Sequence, residues 1–328
     1  MVELKLLRDN TKQEARLTSI ITSDDLNLHT PLVDISPTDK PWDTHRNHAT
    51  TVQGHYRVSS KHQVYADRMS FCSLLLDFKL VSTPESLKLK LSSARFCRVR
   101  WCPVCQWRRS LMWKAKAAKV LPLVLAAYPS YRWLFVTLTI RNCQIDELRS
   151  TISHMNKSFQ RLAELKAFPA QGFLKATEVT RSKDGTAHPH FNILMMVKPS
   201  YFGVGYLSIE KWISMWKQSL RINYDPVIHV KALKPNDANF PAMLSEVIKY
   251  QVKESDLVED RDWFIELTKQ LHKTRAISSG GILKEYLKEL ENEPDDLIGE
   301  GEGENDEELA HLFFGWMQHY QQYRQVHL

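Results

Sequence analysis

The chain has 328 residues, 43% of them hydrophobic, and a formal net charge of +6. Since domains typically run to about 100–200 residues, this length predicts a folded protein with more than one structural unit. The N-terminus is too charged for a secretory signal and no apolar run approaches the ~20 residues that span a bilayer, which excludes a membrane protein and favours the cytoplasm.

Charge is distributed unevenly along the chain. Ten of the 38 acidic side chains lie between residues 291 and 310, where there is no Lys or Arg. The rest of the chain therefore carries 44 basic and 28 acidic side chains. This excess predicts a polyanionic partner held by phosphate contacts, with a merely solvated basic surface as the alternative.

Two stretches predict little packed structure. Residues 1–60 are polar, interrupted by prolines and poor in periodic apolar positions, so we expect a loosely structured N-terminal arm. Residues 291–308 are rich in Gly and Glu and cannot bury a core, so we expect a solvated acidic linker.

Three cysteines are clustered in the motif Cys97-x4-Cys102-x2-Cys105. Clustering of this kind in a reducing compartment favours bonding to a metal over disulfides. A Cys-Pro-x-Cys turn presents two thiolates, and Cys97 would be a third ligand of a tetrahedral ion such as zinc. The fourth ligand is expected to be Cys72, with His62 as the alternative.

Basic and aromatic residues alternate around these cysteines. Arginines grip phosphates and tryptophans can stack on unpaired bases, so the composition suits single-stranded or distorted DNA. The alternative is that the tryptophans belong to the core. The candidate phosphate contacts in this segment are Arg98, Arg100, Arg108 and Arg109.

Periodicity predicts alternating helices and strands in the rest of the chain. Helices are expected over residues 107–127, 146–166, 208–220 and 239–253, and strands over residues 131–140, 172–180, 187–197 and 226–232. Beyond residue 256 the pattern predicts mainly helices, interrupted at residues 278–281 and by the acidic stretch, with a last helix over residues 311–325.

Two histidines one residue apart open the third of these strands. Side chains alternate on a strand, so His188 and His190 share a face and both imidazoles can reach one ion. An Asp-Gly pair before them predicts an antiparallel hairpin, which would bring Glu178 of the preceding strand beside them. Two imidazoles and one carboxylate leave open positions for water and substrate, as a catalytic ion needs. The alternative is ordinary strand histidines and an exposed carboxylate.

The predicted helix over residues 239–253 carries a second candidate group. Glu246 and Tyr250 lie one turn apart on one face, and Lys249 and Lys253 form a second pair with the same spacing. This group could be a nucleophile with a base and phosphate-binding charges. A surface tyrosine among solvated charges is the alternative.

These motifs, in this order, resemble those of the rolling-circle replication initiator (Rep) proteins of small bacterial plasmids, in the HUH endonuclease superfamily. The resemblance covers about residues 68–255 and includes the cysteine motif. Its other elements are the strand Phe135-Val136-Thr137-Leu138-Thr139, Glu178 ahead of His188-Pro189-His190, and Glu246-x-x-Lys249-Tyr250.

The resemblance implies that His188, His190 and Glu178 hold a divalent ion, Mg²⁺ or Mn²⁺. It further implies that Tyr250 attacks single-stranded origin DNA, forms a 5′-phosphotyrosyl bond and releases a 3′-hydroxyl that primes synthesis. A nearby glutamate then activates the water that ends the round, and Glu246 occupies that position. Family members often have another histidine where this chain has Asn192.

The fold implied is α+β, with a central antiparallel sheet of about five strands, the histidine strand in its middle and helices packed on it. A small zinc-binding segment and a helical C-terminal region would complete the chain. The expected segments are an N-terminal arm (1–65), a cysteine-containing, DNA-contacting segment (66–128), a nuclease domain (129–256) and a helical region with the acidic linker (257–328).

The expected partners are plasmid origin DNA in single-stranded or hairpin form and the host helicase and DNA polymerase; no membrane is involved, and a homodimer stays open. Two other functions fit the same motifs. One is a conjugative relaxase or single-tyrosine HUH transposase. The other is a non-catalytic zinc-containing DNA-binding regulator with structural histidines.

Overall fold

The computed structural model describes residues 29–82, 87–234, 247, 251–291 and 307–327. Over these residues the chain is a mixed α+β protein with two antiparallel sheets, which confirms the predicted fold class. It divides into two compact units, formed by the described parts of Met1–Arg109 with Leu297–Leu328 and of Ser110–Asp296. In the described part of the chain, no helix is long and apolar enough to cross a membrane.

The elements are numbered in chain order. The helices are α1 (Leu32–Ile35), α2 (Pro41–Arg57), α3 (Gln63–Met69), α4 (Pro103–Ala127), α5 (Leu148–Ala163), α6 (Ile209–Leu220), α7 (Glu254–Glu259), α8 (Arg261–Gln270) and α9 (Ile282–Glu291). The strands are β1 (Leu75–Ser82), β2 (Leu87–Ala94), β3 (Arg132–Thr139), β4 (Ala170–Arg181), β5 (Ala187–Val197), β6 (Ile228–Leu233), β7 (Ile277–Gly281), β8 (Glu307–Met317) and β9 (Gln322–Val326).

The first unit is built on a four-stranded sheet in the order β2-β1-β8-β9. Helix α2 begins at Pro41, whose fixed φ angle suits the first turn of a helix. The next residue, Trp42, is fully buried and lies edge-on to Phe78 and Tyr323 of the sheet. The Tyr323 hydroxyl donates to the Ser73 carbonyl at 2.6 Å, which satisfies its buried polar atom. An aromatic cluster is therefore the core of this unit.

Two expectations for this unit are wrong. The part of the N-terminal arm that the structure describes is folded, because α2 buries one face against the sheet, while residues 1–28 lie outside the described residues. The segment predicted as a last helix forms β8 and β9 instead. In β8, buried Leu312 and Phe314 alternate with half-buried neighbours, which is the period of a strand and not of a helix. Most of the acidic linker, residues 292–306, lies outside the described residues.

The second unit is built on a five-stranded sheet in the order β6-β3-β5-β4-β7, with the histidine strand β5 in the middle as predicted. Helices α5 and α6 cover one face, where Phe159 and Trp212 join the core. The other face is covered by the C-terminal part of α4, by Val247 and by α9. Helix α4 contributes its residues up to Arg109 to the first unit and the rest to this one.

The predicted interruption at residues 278–281 is strand β7, which pairs with β4. Gly281 has a φ of +56°, and a Cβ atom there would collide with the Gln171 backbone. Glycine thus permits the close approach of β7 and α9 to β4. The helix predicted over residues 239–253 has one described helical residue, Val247, but its end is wrong: residues 251–253 are not helical, and Val252 forms a parallel bridge with Val179.

Candidate functional site

The β4–β5 hairpin sets the geometry of the histidine site. In the connecting turn, the Ser182 amide donates to the Thr186 carbonyl at 2.9 Å, and Gly185 has a φ of +83°. The resulting register pairs Glu178 with His190 directly across the two strands. This confirms the predicted hairpin and places the carboxylate and the imidazole on one face of the sheet.

Glu178 and His190 are in contact. The His190 Nε2 atom lies 3.1 Å from Glu178 Oε2, and the glutamate is only 4% exposed. The Asn192 amide nitrogen donates to the same oxygen at 2.8 Å, and the Thr137 hydroxyl donates to the Asn192 amide oxygen at 3.1 Å. Asn192, where the family resemblance often implies another histidine, thus donates to the carboxylate through an amide whose orientation Thr137 fixes.

His188 lies on the same face, with its ring centroid 5.4 Å from that of His190. Its Nδ1 atom is turned to the Asn142 amide oxygen at 2.8 Å. Burial is the main factor that lowers the pKa of His188, a positive charge on His190 lowers it further, and Glu178 opposes the shift. A lowered pKa keeps the imidazole neutral near pH 7, which is the state that can bind a metal ion.

The donor set of His188, His190 and Glu178 fits a divalent metal ion. Two imidazole nitrogens with one carboxylate oxygen suit a transition ion such as Mn²⁺ better than Mg²⁺, which prefers oxygen ligands. In this structure the three side chains are not gathered around one point: Glu178 and His190 are in contact, and His188 Nδ1 is directed to Asn142. Among the described residues, a group of four cysteines is the only set of three or more His, Cys, Asp or Glu side chains whose ligand atoms all lie within 4.8 Å of one another. The face that carries His188, His190 and Glu178 continues, along β4 and β5, into the core that includes Leu174 and Leu194.

Three of the predicted residues of the nucleophile group, Glu246, Lys249 and Tyr250, lie outside the described residues. Their described neighbours are anchored. Val247 is buried in the core on the metal-site face of the sheet. The Gln251 carbonyl accepts a hydrogen bond from the Val179 amide at 2.8 Å, next in sequence to Glu178. Lys253, the other predicted phosphate contact, is exposed.

Four buried cysteines form a compact group in the first unit. The sulfur atoms of Cys72, Cys97, Cys102 and Cys105 all lie within 4.8 Å of one another. The Cys97 amide points at the Cys72 sulfur at 3.4 Å, a donor that stabilises a thiolate. Such a group could hold a metal ion such as zinc. His62 is not part of it, because its Nδ1 atom lies 2.9 Å from the Ser59 hydroxyl and its ring stacks on Tyr65.

The predicted DNA-contacting residues near the cysteines separate into two groups. Arg98 is exposed, and Arg100 and Arg109 are partly exposed. Arg108 is only 3% exposed, with its guanidinium 5.4 Å from the ring centre of Trp42. In this structure Arg108 is therefore packed in the core and has little surface to offer a phosphate. Trp101 is also buried, as the core alternative requires.

Neither Asn142 nor the role of Thr137 in this site is predictable from motifs or spacing. Asn142 lies 46 positions before His188, and Thr137 lies 55 positions before Asn192. Contacts over such distances depend on strand order, which periodicity alone does not predict. Thr137 belongs to the strand motif quoted for the family resemblance, but its hydrogen bond to Asn192 is visible only in the folded sheet.

Comparison with known proteins gives consistent matches. A family model described as replication protein matches residues 88–324. The protein rep of Bacillus amyloliquefaciens is 32% identical over 312 residues, which cover 84% of this chain and 89% of the relative. The protein rep of Streptococcus pneumoniae is 36% identical over 214 residues, covering 63% and 67%. A replication protein of Staphylococcus aureus is 33% identical over 210 residues, covering 59% and 89%. No solved structure gives a significant match.

Proposed function

Because the chain belongs to the Rep family of plasmid replication initiators, we propose that it nicks one strand of the plasmid origin to start rolling-circle replication. The observation that carries this proposal is the in-register contact of Glu178 with His190, with His188 on the same face. Three ligands of this kind on one rigid hairpin are what an HUH-type endonuclease needs to hold a catalytic ion.

In the proposed reaction, His188, His190 and Glu178 would hold Mn²⁺ or Mg²⁺. An ion held there would supply polarisation of the scissile phosphate and stabilisation of the charge that develops on it. Asn192 and His190 both contact Glu178 Oε2, which keeps the carboxylate in place. The hairpin and these hydrogen bonds would therefore hold Glu178 and His190 in place before the DNA binds.

Tyr250 is the proposed nucleophile. Its hydroxyl oxygen attacks the scissile phosphorus, the bond from phosphorus to the 3′ oxygen breaks, and a 3′-hydroxyl leaves as the primer for synthesis. The enzyme keeps a 5′-phosphotyrosyl bond, so the energy of the phosphodiester is conserved. The anchoring of Val247 and Gln251 beside the metal-site face supports this assignment. Lys249 and Lys253 would neutralise phosphate charge nearby.

The four cysteines are proposed to bind a structural zinc ion, which would order the first unit around them. Arg98, Arg100 and Arg109 remain the proposed phosphate contacts of the cysteine segment. The expected setting is the cytoplasm, where the host helicase and DNA polymerase would extend the released 3′ end.

The test is a covalent-adduct experiment with labelled single-stranded origin oligonucleotide and Mn²⁺. The wild-type protein should form a protein–DNA adduct, while Tyr250→Phe should form none and still bind the oligonucleotide. Glu178→Gln should lose the metal-dependent adduct because it removes the anionic ligand, and Glu210→Gln, on an exposed helix position, is its control. Adduct formation by Tyr250→Phe would refute the assignment of the nucleophile. Metal-independent binding without any adduct would instead favour a DNA-binding regulator.

A further inference from the structure

An exposed aromatic ring lies beside the four cysteines. Phe71 directly precedes Cys72 and is 54% exposed. The guanidinium of Arg95 lies over its ring, 5.2 Å from the ring centre. The Ser73 amide donates to the Arg95 carbonyl at 2.7 Å and so fixes the two segments side by side. A large aromatic ring in water with a cation over one face is a common feature of nucleic-acid binding sites.

Two more arginines belong to the same edge of the unit. The exposed Arg68 donates to the Cys97 carbonyl at 2.6 Å. Arg98, the next residue after Cys97, is exposed and has a φ of +55°. The Cys97 amide in turn points at the Cys72 sulfur. The cysteine group therefore holds together the chain segments that carry the ring and the three arginines.

We propose that Phe71, Arg68, Arg95 and Arg98, here called the arginine–phenylalanine surface, bind unpaired nucleotides of the target DNA. Guanidiniums form charge-assisted hydrogen bonds with phosphates, and the phenyl ring can stack on a base. A base in a double helix is already stacked on both faces, so the ring favours single-stranded DNA over duplex. The identity of the DNA as plasmid origin rests on the proposed function, whereas the binding itself does not depend on cleavage.

The test measures binding of fluorescent DNA to the full-length zinc-loaded protein, with a single-stranded origin oligonucleotide and the duplex of the same sequence. Phe71→Leu keeps an apolar side chain but loses the stacking face, so single-strand affinity should fall about tenfold with an unchanged salt dependence. Arg95→Gln removes one charge that would contact a phosphate. The magnitude of the slope of log affinity against log salt concentration should therefore fall by about 1.

The matched controls lie in the second unit. Phe202→Leu changes another exposed phenylalanine, which is 48% exposed, and Arg132→Gln changes another exposed arginine. Both should bind DNA as the wild type does, and zinc content should be equal in all variants. The proposal is overturned if Phe71→Leu binds single-stranded DNA as tightly as Phe202→Leu. If Phe71→Leu weakens DNA binding but neither the wild type nor any variant forms a covalent adduct, the proposal for this surface is supported and the proposed nicking function is refuted.

A second inference rests on an independent observation, the hydrogen-bond chain that ends at His188. Asp184 accepts from the Thr186 hydroxyl, so that hydroxyl oxygen must itself accept from the Asn142 amide nitrogen at 3.0 Å. The same nitrogen also donates to the Ser182 hydroxyl at 2.8 Å. The Asn142 amide oxygen must then face His188 Nδ1, 2.8 Å away, and accept a hydrogen bond from its N–H group.

We infer that Asn142 is a positioning residue that keeps His188 protonated on Nδ1, so that its Nε2 lone pair is available to a metal ion. The role of the ion rests on the proposed function, but the tautomer does not. Outer contacts of this kind orient metal-binding histidines, and their loss typically lowers metal affinity about 10–100-fold.

The tautomer can be read from ¹⁵N chemical shifts of the metal-free protein labelled at histidine, with the His188 signals assigned by His188→Gln. In the wild type and in Asn142→Asp, which keeps a hydrogen-bond acceptor, His188 should be protonated on Nδ1. In Asn142→Ala, His188 should show a mixture of the two tautomers. Mn²⁺ affinity, measured by calorimetry, should fall at least tenfold in Asn142→Ala. An Nε2-protonated His188 in the wild type, or an Asn142→Ala variant with unchanged tautomer and affinity, would overturn the inference. Absence of DNA cleavage would leave this readout intact.

Discussion

Glu178 shows how hydrogen bonds between neighbouring strands can determine a functional site. Its Oε2 atom accepts from Asn192 and contacts His190, and Asn192 is in turn oriented by Thr137. These residues lie on three adjacent strands, so the carboxylate position depends on the whole sheet. Residue type and spacing predict these residues as a group, but the contacts that hold Glu178 and His190 together follow from strand order.

The opposite face of the same sheet carries a buried charge. Lys175 is 6% exposed, its amine lies 3.7 Å from the ring centre of Phe191 and it donates to the Asn156 amide oxygen at 2.8 Å. Burial lowers the pKa of Lys175 to about 8. The protonated amine is therefore destabilised in the folded protein relative to the unfolded chain, where its pKa is ordinary.

Replacing this lysine by an apolar residue of similar length should stabilise the protein. At pH 7 we expect Lys175→Met to raise the free energy of unfolding by about 1–3 kcal/mol, because the cost of burying the ammonium exceeds the lost contacts. The unfolded chain binds the proton more tightly between pH 8 and 10.5, so wild-type stability rises over that window and the difference should shrink. Urea unfolding at pH 7 and pH 10 measures this, and a less stable Lys175→Met at pH 7 would contradict it.

At the scale of elements, the sequence predicts helices and strands well where an amphipathic pattern is bounded by capping or turn residues. Helix α6 begins where Ser208 caps the Lys211 amide and ends at Arg221 with a φ of +57°. The β4–β5 hairpin was predicted from its Asp-Gly turn. The segment of β8 was misassigned because Leu312-Phe313-Phe314-Gly315-Trp316-Met317 is a nearly continuous apolar run, which fits either a buried helix or a strand.

The strand assignment of β8 makes a prediction about Phe314. This ring is fully buried, and its centre lies 5.8 Å from that of Phe78 on β1. Phe314→Ala should destabilise the first unit by about 3–5 kcal/mol through lost burial and a cavity. Phe313→Ala, on the half-buried face of the same strand, is the control and should cost much less. Equal losses in the two variants on urea unfolding would argue against the alternation seen in β8.

The cysteine group predicts that the first unit depends on zinc. Without an ion, the segment from Cys97 to Cys105 would lose the metal bonds that tie it to Cys72. Removing zinc with a chelator should lower the melting temperature of this unit by roughly 10 °C or more. Cys97→Ser should behave like the chelated protein, and Cys143→Ser, which lies outside the group, like the wild type. Zinc-free protein with an unchanged melting curve would contradict a structural metal.

At the scale of the whole molecule, the two units carry different parts of the proposed function. The first holds the cysteines and the arginine–phenylalanine surface, and the second holds the hairpin with the metal ligands. Composition predicts an excess of basic side chains outside the acidic stretch, but it does not predict which arginines are exposed. Arg98 and Arg108 lie ten residues apart in one motif. Arg108 packs against Trp42 of the aromatic core, whereas Arg98 is exposed to solvent.

In the proposed function, termination is the step that ends strand transfer after one round of replication. In the proposed mechanism, transesterification by Tyr250 would conserve the phosphodiester energy and allow repeated strand transfer, whereas hydrolysis by an activated water would discard that energy. Glu246→Gln keeps the size of the side chain but cannot accept a proton. We therefore expect normal nicking, accumulation of the 5′-phosphotyrosyl adduct and multimeric single-stranded product. Labelled-DNA gels of a replication reaction measure all three, with the exposed Glu285→Gln as control. Unit-length product without adduct would show that another group activates the water.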